Sequence, residues 1–244
     1  MPVFRSGPGL APDWCELEYF EIVRLPAGSR HTFARRGGKE KLIVAGGGCL
    51  IAFSGNAATH HEGANLDLTA PEGQFEVLRA LADTTVVRMC GRWGELTGGS
   101  GLFEVTRETT WGGAGDPVDY AKETKVDNHY HDCDEYWIFF EGSGVAVSEG
   151  KHYEVGPGDC VATRAGGHHD FPRVSEPAKG VYFETSLLGR KRVATSGSIG
   201  TTPLTAMVRG RGEDGCAPAP GRHRWAWWRL VPVVSTTQRR RWYR

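Results

Sequence analysis

Residues 128–142 read NHYHDCDEYWIFFEG: two histidines one residue apart, a glutamate four further on, and a run of aromatic and apolar residues that ends on a glycine. On extended backbone alternate side chains share a face. His129, His131 and Glu135 therefore project together, and Trp137 and Phe139 keep the same parity. A histidine pair with one carboxylate supplies three ligands of borderline-hard character, which suit divalent iron, manganese, zinc, nickel or cobalt. A fourth ligand has to arrive from elsewhere. The stretch GDCVATRAGGHH at 158–169 offers His168 and His169 at the end of a later strand.

Outward from this stretch the chain is punctuated like a β-protein. LEYFEIVRL (17–25), EKLIVAGGGCLIAF (40–53) and FEVLRALADTTVVRMCGRW (75–93) are strand-forming runs rich in Val, Ile, Leu and Phe. They are separated by turn residues and by a polar loop, SGNAATHHEGA (54–64), in which His60 and His61 read as a solvated pair. GELTGGSGLFEVTRETTWGGAGDP (94–117) reads as a linker plus one short strand. After it come KVDNHYHDCDEYWIFFEG, a turn, GVAVSEG, KHYEVGPGDCVATRAGGHH and KGVYFETSLL. No helical stripe of any length stands out, so the expected class is all-β. The pattern suggests one β unit used twice, although the halves share few letters.

Composition sets further bounds. The 244 residues are enough for one large or two small domains. No run approaches the roughly 18 apolar residues that span a bilayer, and the amino terminus lacks a charged segment backed by an apolar one. A cytoplasmic protein with no membrane partner is expected. Six cysteines are scattered without a CxxC pair, which favours reduced thiols. Cys133 and Cys160 fall near the histidines, where packing is as good an account as chemistry. The net charge of zero hides an asymmetry: from Gly189 to Arg244 twelve Arg and Lys stand against two acidic residues. This tail is basic and carries four tryptophans. It reads as a disordered or frameshifted extension, as a segment docked on the acidic body, or, least favoured, as an arm that pairs phosphates with arginine and stacks bases on tryptophan.

The motifs themselves resemble the cupin family. Its first motif, His-x-His, then Glu after three or four residues and Gly after six, is met at His129, His131, Glu135 and Gly142. Its second, Gly, five residues, Pro-x-Gly, two residues, His, is met at Gly158, Gly166 and His169, with Arg164 at the proline position. The fifteen residues between Gly142 and Gly158 match the short spacing of microbial members. The resemblance implies that His169 is the fourth ligand and that His168 points away or supports it. In the first half a degraded copy is visible. His31 and Glu40 survive from the first motif, with Phe33 near the second histidine; Pro71 and Gly73 survive from the second, with Glu76 at its histidine position.

The resemblance thus implies two antiparallel jelly-roll barrels: a degenerate one over 1–93, a linker and first strand over 94–121, a metal-binding one over 122–188, and the basic tail over 189–244. It implies one divalent transition metal, a small-molecule substrate and possible association as a homodimer, and gives no reason to expect nucleic acid as a partner. Four protein ligands leave an octahedral ion two open positions for a small oxygenated metabolite, an oxo or hydroxy acid or a sugar. Lewis-acid isomerase, epimerase, decarboxylase or lyase chemistry then competes with a non-haem iron dioxygenase and with a non-catalytic binding module. Tyr153, Tyr182 and Glu184 are candidate acid-base groups. Lys125, Trp137 and Phe139 are candidate substrate contacts, the two aromatics as walls of a dry pocket.

Overall fold

The computed structural model describes residues 2–7, 9–68, 74–108 and 115–187. Pro71, Gly73 and the tail from 189 onward, with every reading of it, lie outside the described residues. Among the described residues the chain forms strands and no helix. In chain order these are β1 (Val3–Arg5), β2 (Leu17–Leu25), β3 (His31–Ala34), β4 (Lys39–Gly46), β5 (Gly48–Phe53), β6 (Asn56–His61), β7 (Asn65–Leu68), β8 (Gln74–Ala80), β9 (Thr84–Gly91), β10 (Thr97–Val105), β11 (Glu135–Ser148), β12 (Lys151–Val155), β13 (Asp159–Thr163) and β14 (His169–Ser186).

Every strand ladder is antiparallel, in three sheets: β1-β13-β11-β14-β10 with β12 on β11, then β2-β9-β4-β7, then β3-β8-β5-β6. The opening stretch explains why β11 sits centrally. A strand with one wet face alternates apolar and polar, whereas an unbroken apolar run is buried on both. Trp137 and Phe139 enter one core, with Phe103, Val161 and Phe171. Tyr136, Ile138 and Phe140 enter another, shared with Leu17, Phe20, Ile43, Val87 and Met89 of the first half. A third core, around Phe33, Leu42, Val44 and Val77, fills the first half.

Four local expectations change. The polar loop contains β6, the hairpin partner of β5; its side chains are mostly exposed and so leave no apolar signature. The supposed linker contains β10, a nine-residue strand whose glycine-rich portion pairs along β14. Gly142 does not end its strand: β11 runs on for 14 residues through shifts of register on either side of it. There φ is 68°, and a Cβ would strike the Pro177 carbonyl, so a bulge rather than a turn requires the glycine. Finally, residues 122–134 are not a regular strand, so loop contacts and not strand parity place the side chains there.

The two halves run in step. Left-handed backbone falls at Gly47, Ser54, Gly55 and Gly63, and again 95 residues later at Gly142, Glu149, Gly150 and Gly158. A Cβ on Gly47 would strike the Asp83 carbonyl, as one on Gly142 would strike that of Pro177. Glu40 opens onto Cys90 and Leu68 as Glu135 opens onto Glu184 and Thr163.

Candidate metal centre

The segment ahead of β11 is held from several sides. The Lys122 ammonium is buried against the Asp170 carboxylate at 2.5 and 2.6 Å, and the Tyr120 hydroxyl donates to the same group at 2.9 Å. The Thr124 hydroxyl donates to the Phe171 carbonyl. His129 and His169 exchange two backbone hydrogen bonds, at 3.1 and 2.9 Å, which set their side chains beside one another. The His131 carbonyl accepts from the Gly166 amide at 2.7 Å, and the Asp134 carboxylate from the Ala165 amide at 2.9 Å. The turn between β13 and β14 thus fastens the histidine loop to the strand that carries His169.

The result is one cluster. His129, His131, Glu135 and His169 are all buried, and their ligand atoms lie within 4.8 Å of one another. Nε2 of His129 stands 3.1 Å from Nε2 of His131, while Glu135 Oε2 is 3.0 Å from His131 Nε2 and 2.7 Å from His169 Nε2. Nδ1 of His129 donates to the Asp127 carbonyl at 2.8 Å, and Nδ1 of His169 to that of Gly167 at 3.2 Å. Those bonds direct the Nε2 lone pairs inward, the tautomer that ligation needs. Glu135 Oε2 and His169 Nε2 are buried with no hydrogen bond of their own. Buried polar atoms are rarely left so. Two imidazole nitrogens and a carboxylate oxygen at this separation need a proton or a metal ion among them, and four buried donors converging in this way fit a divalent metal ion.

Without an ion, the charges settle differently on the two imidazoles beside Glu135: His129 is held neutral, and a proton on His169 is what balances the carboxylate. Burial holds the His129 imidazole neutral, its pKa pushed down to about 3, with the charge of His169 adding to the effect. Burial would raise the Glu135 carboxyl, but His169 and His131 pull it well below the usual range. Burial would lower His169, yet Glu135 raises it.

The other expected residues separate. The Trp137 indole donates to Glu135 Oε1 at 2.9 Å and stands edge-on to the His169 ring, 5.2 Å between centroids. It acts on a ligand, a role that parity alone did not reveal. Phe139 lies deeper, packed on Phe103 and Phe171. Glu184, opposite Glu135, is buried with Oε1 3.7 Å from His131 Nε2. Tyr182, opposite Trp137, is partly buried with its ring beside Gly99 and Gly101. Gly98 leaves room for the Glu184 carboxylate and the Cys133 thiol, which a Cβ would crowd. Tyr153 packs at the margin of the apolar core from β12. Lys125 turns to solvent and pairs with Glu108 at 3.2 Å. His168 pairs with Asp116 at 2.9 Å, its ring outside the cluster. The Lys122–Asp170–Tyr120 brace was not foreseen; a buried pair 48 residues apart in sequence has no local pattern to betray it.

A family model described as the cupin domain matches residues 118–183. The chain belongs to the cupin family. An uncharacterized protein, y4oW, of Sinorhizobium fredii is 42% identical over 192 residues, covering 79% of this chain and 88% of that one. Among solved structures, an IolB-like protein from Salmonella typhimurium is similar at a TM-score of 0.46 and 14% identity, over 73% of this chain and 86% of its own. YhaK from Escherichia coli is similar at 0.48 and 14% identity, over 76% and 93%.

Proposed function

We propose that this chain is a metal-dependent enzyme that rearranges or cleaves a small oxo or hydroxy acid, or a sugar-like compound, without oxidising it. His129, His131, Glu135 and His169 would hold the ion. A divalent ion there supplies Lewis acidity toward a bound oxygen. The observation that carries the reading is Glu184, a buried carboxylate on the same face as Glu135 and 3.7 Å from His131 Nε2. A group so placed can take or return a proton beside the ligands, which is what isomerases, lyases and decarboxylases require. Tyr182, two residues earlier on β14, can orient an oxygen of the substrate from the same face. Trp137 and the apolar core behind it exclude water and keep local charges poorly screened. The first half would be a second barrel of the same design, serving as scaffold, which the step of 95 residues between the left-handed positions supports.

Metal analysis of the purified full chain, followed by turnover assays on hydroxy and keto acids and sugars with an oxygen electrode, tests the reading. One ion per chain and turnover without oxygen uptake are expected. His131→Ala should lower metal affinity by more than the roughly 10–100-fold that loss of an outer contact costs. Unchanged metal content in that variant would remove the centre. Oxygen uptake coupled to substrate loss would assign a dioxygenase instead, and tight binding without turnover a carrier or sensor.

A further inference from the structure

The first half carries a buried cation of its own. The Arg88 side chain, on β9, is 2% exposed. Its Nε and one terminal nitrogen donate to Glu40 Oε2 at 3.0 and 2.7 Å, the same terminal nitrogen donates to the Ala34 carbonyl at 2.6 Å, and the other donates to Glu21 at 2.8 Å. The guanidinium carbon lies 5.4 Å from the Phe33 ring centroid and 5.3 Å from that of Phe75. Those two rings stack on each other, 4.5 Å apart and 10° from parallel. The second Glu40 oxygen is taken up by the amides of Arg36 and Gly37, at 2.5 and 3.1 Å, with Arg35 Nε at 3.4 Å.

The register gives this group its meaning. Glu40 precedes Gly47 by the interval that separates Glu135 from Gly142. Phe33 lies opposite Phe75 in the first half and His129 opposite His169 in the second, each residue one place off the 95-residue step. Phe33 and Phe75 are the buried pair of that ladder and the pair that faces Arg88. Both glutamates have one oxygen held by neighbouring donors, an indole in one half and backbone amides in the other, and present the second to the site. In the later half that second oxygen meets imidazoles; in the first it meets Arg88. Aromatic faces cannot ligate a metal, but they do attract a guanidinium.

We propose that Arg88 is a built-in cation: its guanidinium fills the place in the first half that an ion would hold in the second, and the shell of Glu40, Glu21, Phe33 and Phe75 is a site for a planar guanidinium-type cation. The first half is thereby closed to metal. This stands on positions within the first half and does not require the later centre to be loaded.

Thermal unfolding of the full-length chain tests it. Arg88→Ala, which strips Glu40 Oε2 of its buried countercharge while Oε1 keeps the backbone amides and Arg35, should lower the melting temperature by about 10 °C. Millimolar methylguanidinium should restore at least about half of that loss in the variant, and sodium chloride at equal ionic strength should not. The wild type should respond to neither. If Arg88→Ala does not fold, the paired replacement Arg88→Met with Glu40→Gln should fold, since it removes charge and countercharge together. A variant as stable as wild type overturns the proposal, as does a folded variant indifferent to methylguanidinium, or a double variant no more stable than Arg88→Ala.

Discussion

At Glu135 the two carboxylate oxygens do different things. Oε1 is occupied by the Trp137 indole, so Oε2 alone is turned toward the three imidazoles. Replacing Trp137 with Phe keeps the ring and removes the donor. The freed Oε1 would compete for the same position and the carboxylate would lose its fixed orientation. Metal affinity, read by competition with a chelating dye, should fall roughly 10–100-fold, and the apoprotein should melt a few degrees lower because a buried carboxylate oxygen loses its donor. At this scale the sequence was most informative where spacing is the chemistry: the two histidines and the glutamate are brought together as their intervals imply, and His169 joins them as the family resemblance implies. It was least informative where a residue works through another, because Trp137 reads equally well as a wall and as a donor. Strand parity could not place Lys125, which pairs with Glu108. Parity holds along a strand, and residues 122–127 are irregular.

Among the elements, β11 carries the most. Its residues feed two cores, its first residue, Glu135, belongs to the buried His/Glu cluster, and its middle bends at Gly142 so that the distal part can pair with β12 and with the beginning of β14. Gly142→Ala puts a Cβ against the Pro177 carbonyl on left-handed backbone. A cost of about 2 kcal/mol or more is expected in chemical denaturation. Equal stability would mean that the bulge relaxes freely. Elements with alternating or continuous apolar runs could be read in advance: β2 spans the stretch LEYFEIVRL, residues 17–25. β6 could not, since an exposed edge strand has no buried face to mark it, and glycine-rich β10 looked like a linker because its small residues answer to Tyr182 and Glu184 across the ladder. The repeat itself was hidden from letter comparison. It is carried by backbone conformation, and a few letters record it: Gly47/Gly142, Gly55/Gly150, Gly63/Gly158 and Glu40/Glu135.

For the whole molecule the decisive region is the core shared by the halves, where Phe20, Ile43, Val87 and Met89 meet Tyr136, Ile138, Val181 and Phe183. Trp93 stands edge-on to Phe183 there, 4.8 Å between centroids. Phe183→Ala should cost about 3–5 kcal/mol and lower the melting temperature by roughly 10 °C. Because that core belongs to both halves, calorimetry of the described body should show one transition that moves as a unit. Two transitions, with only one displaced, would mean that the halves unfold separately. The sequence announced two β units, but gave no sign that they share an interior: apolar letters say that a face is buried, never against what.

A fragment confined to residues 94–187 would keep all four imidazole and carboxylate donors and still be a poor reagent. Cut free of its neighbour, it would show water a greasy flank of Tyr136, Ile138, Phe140, Val181 and Phe183, and such surfaces self-associate. The first half thus serves as a permanent lid on its sister's hydrophobic side, and shortening the gene to the portion that carries the His/Glu cluster should yield aggregates in place of a compact domain.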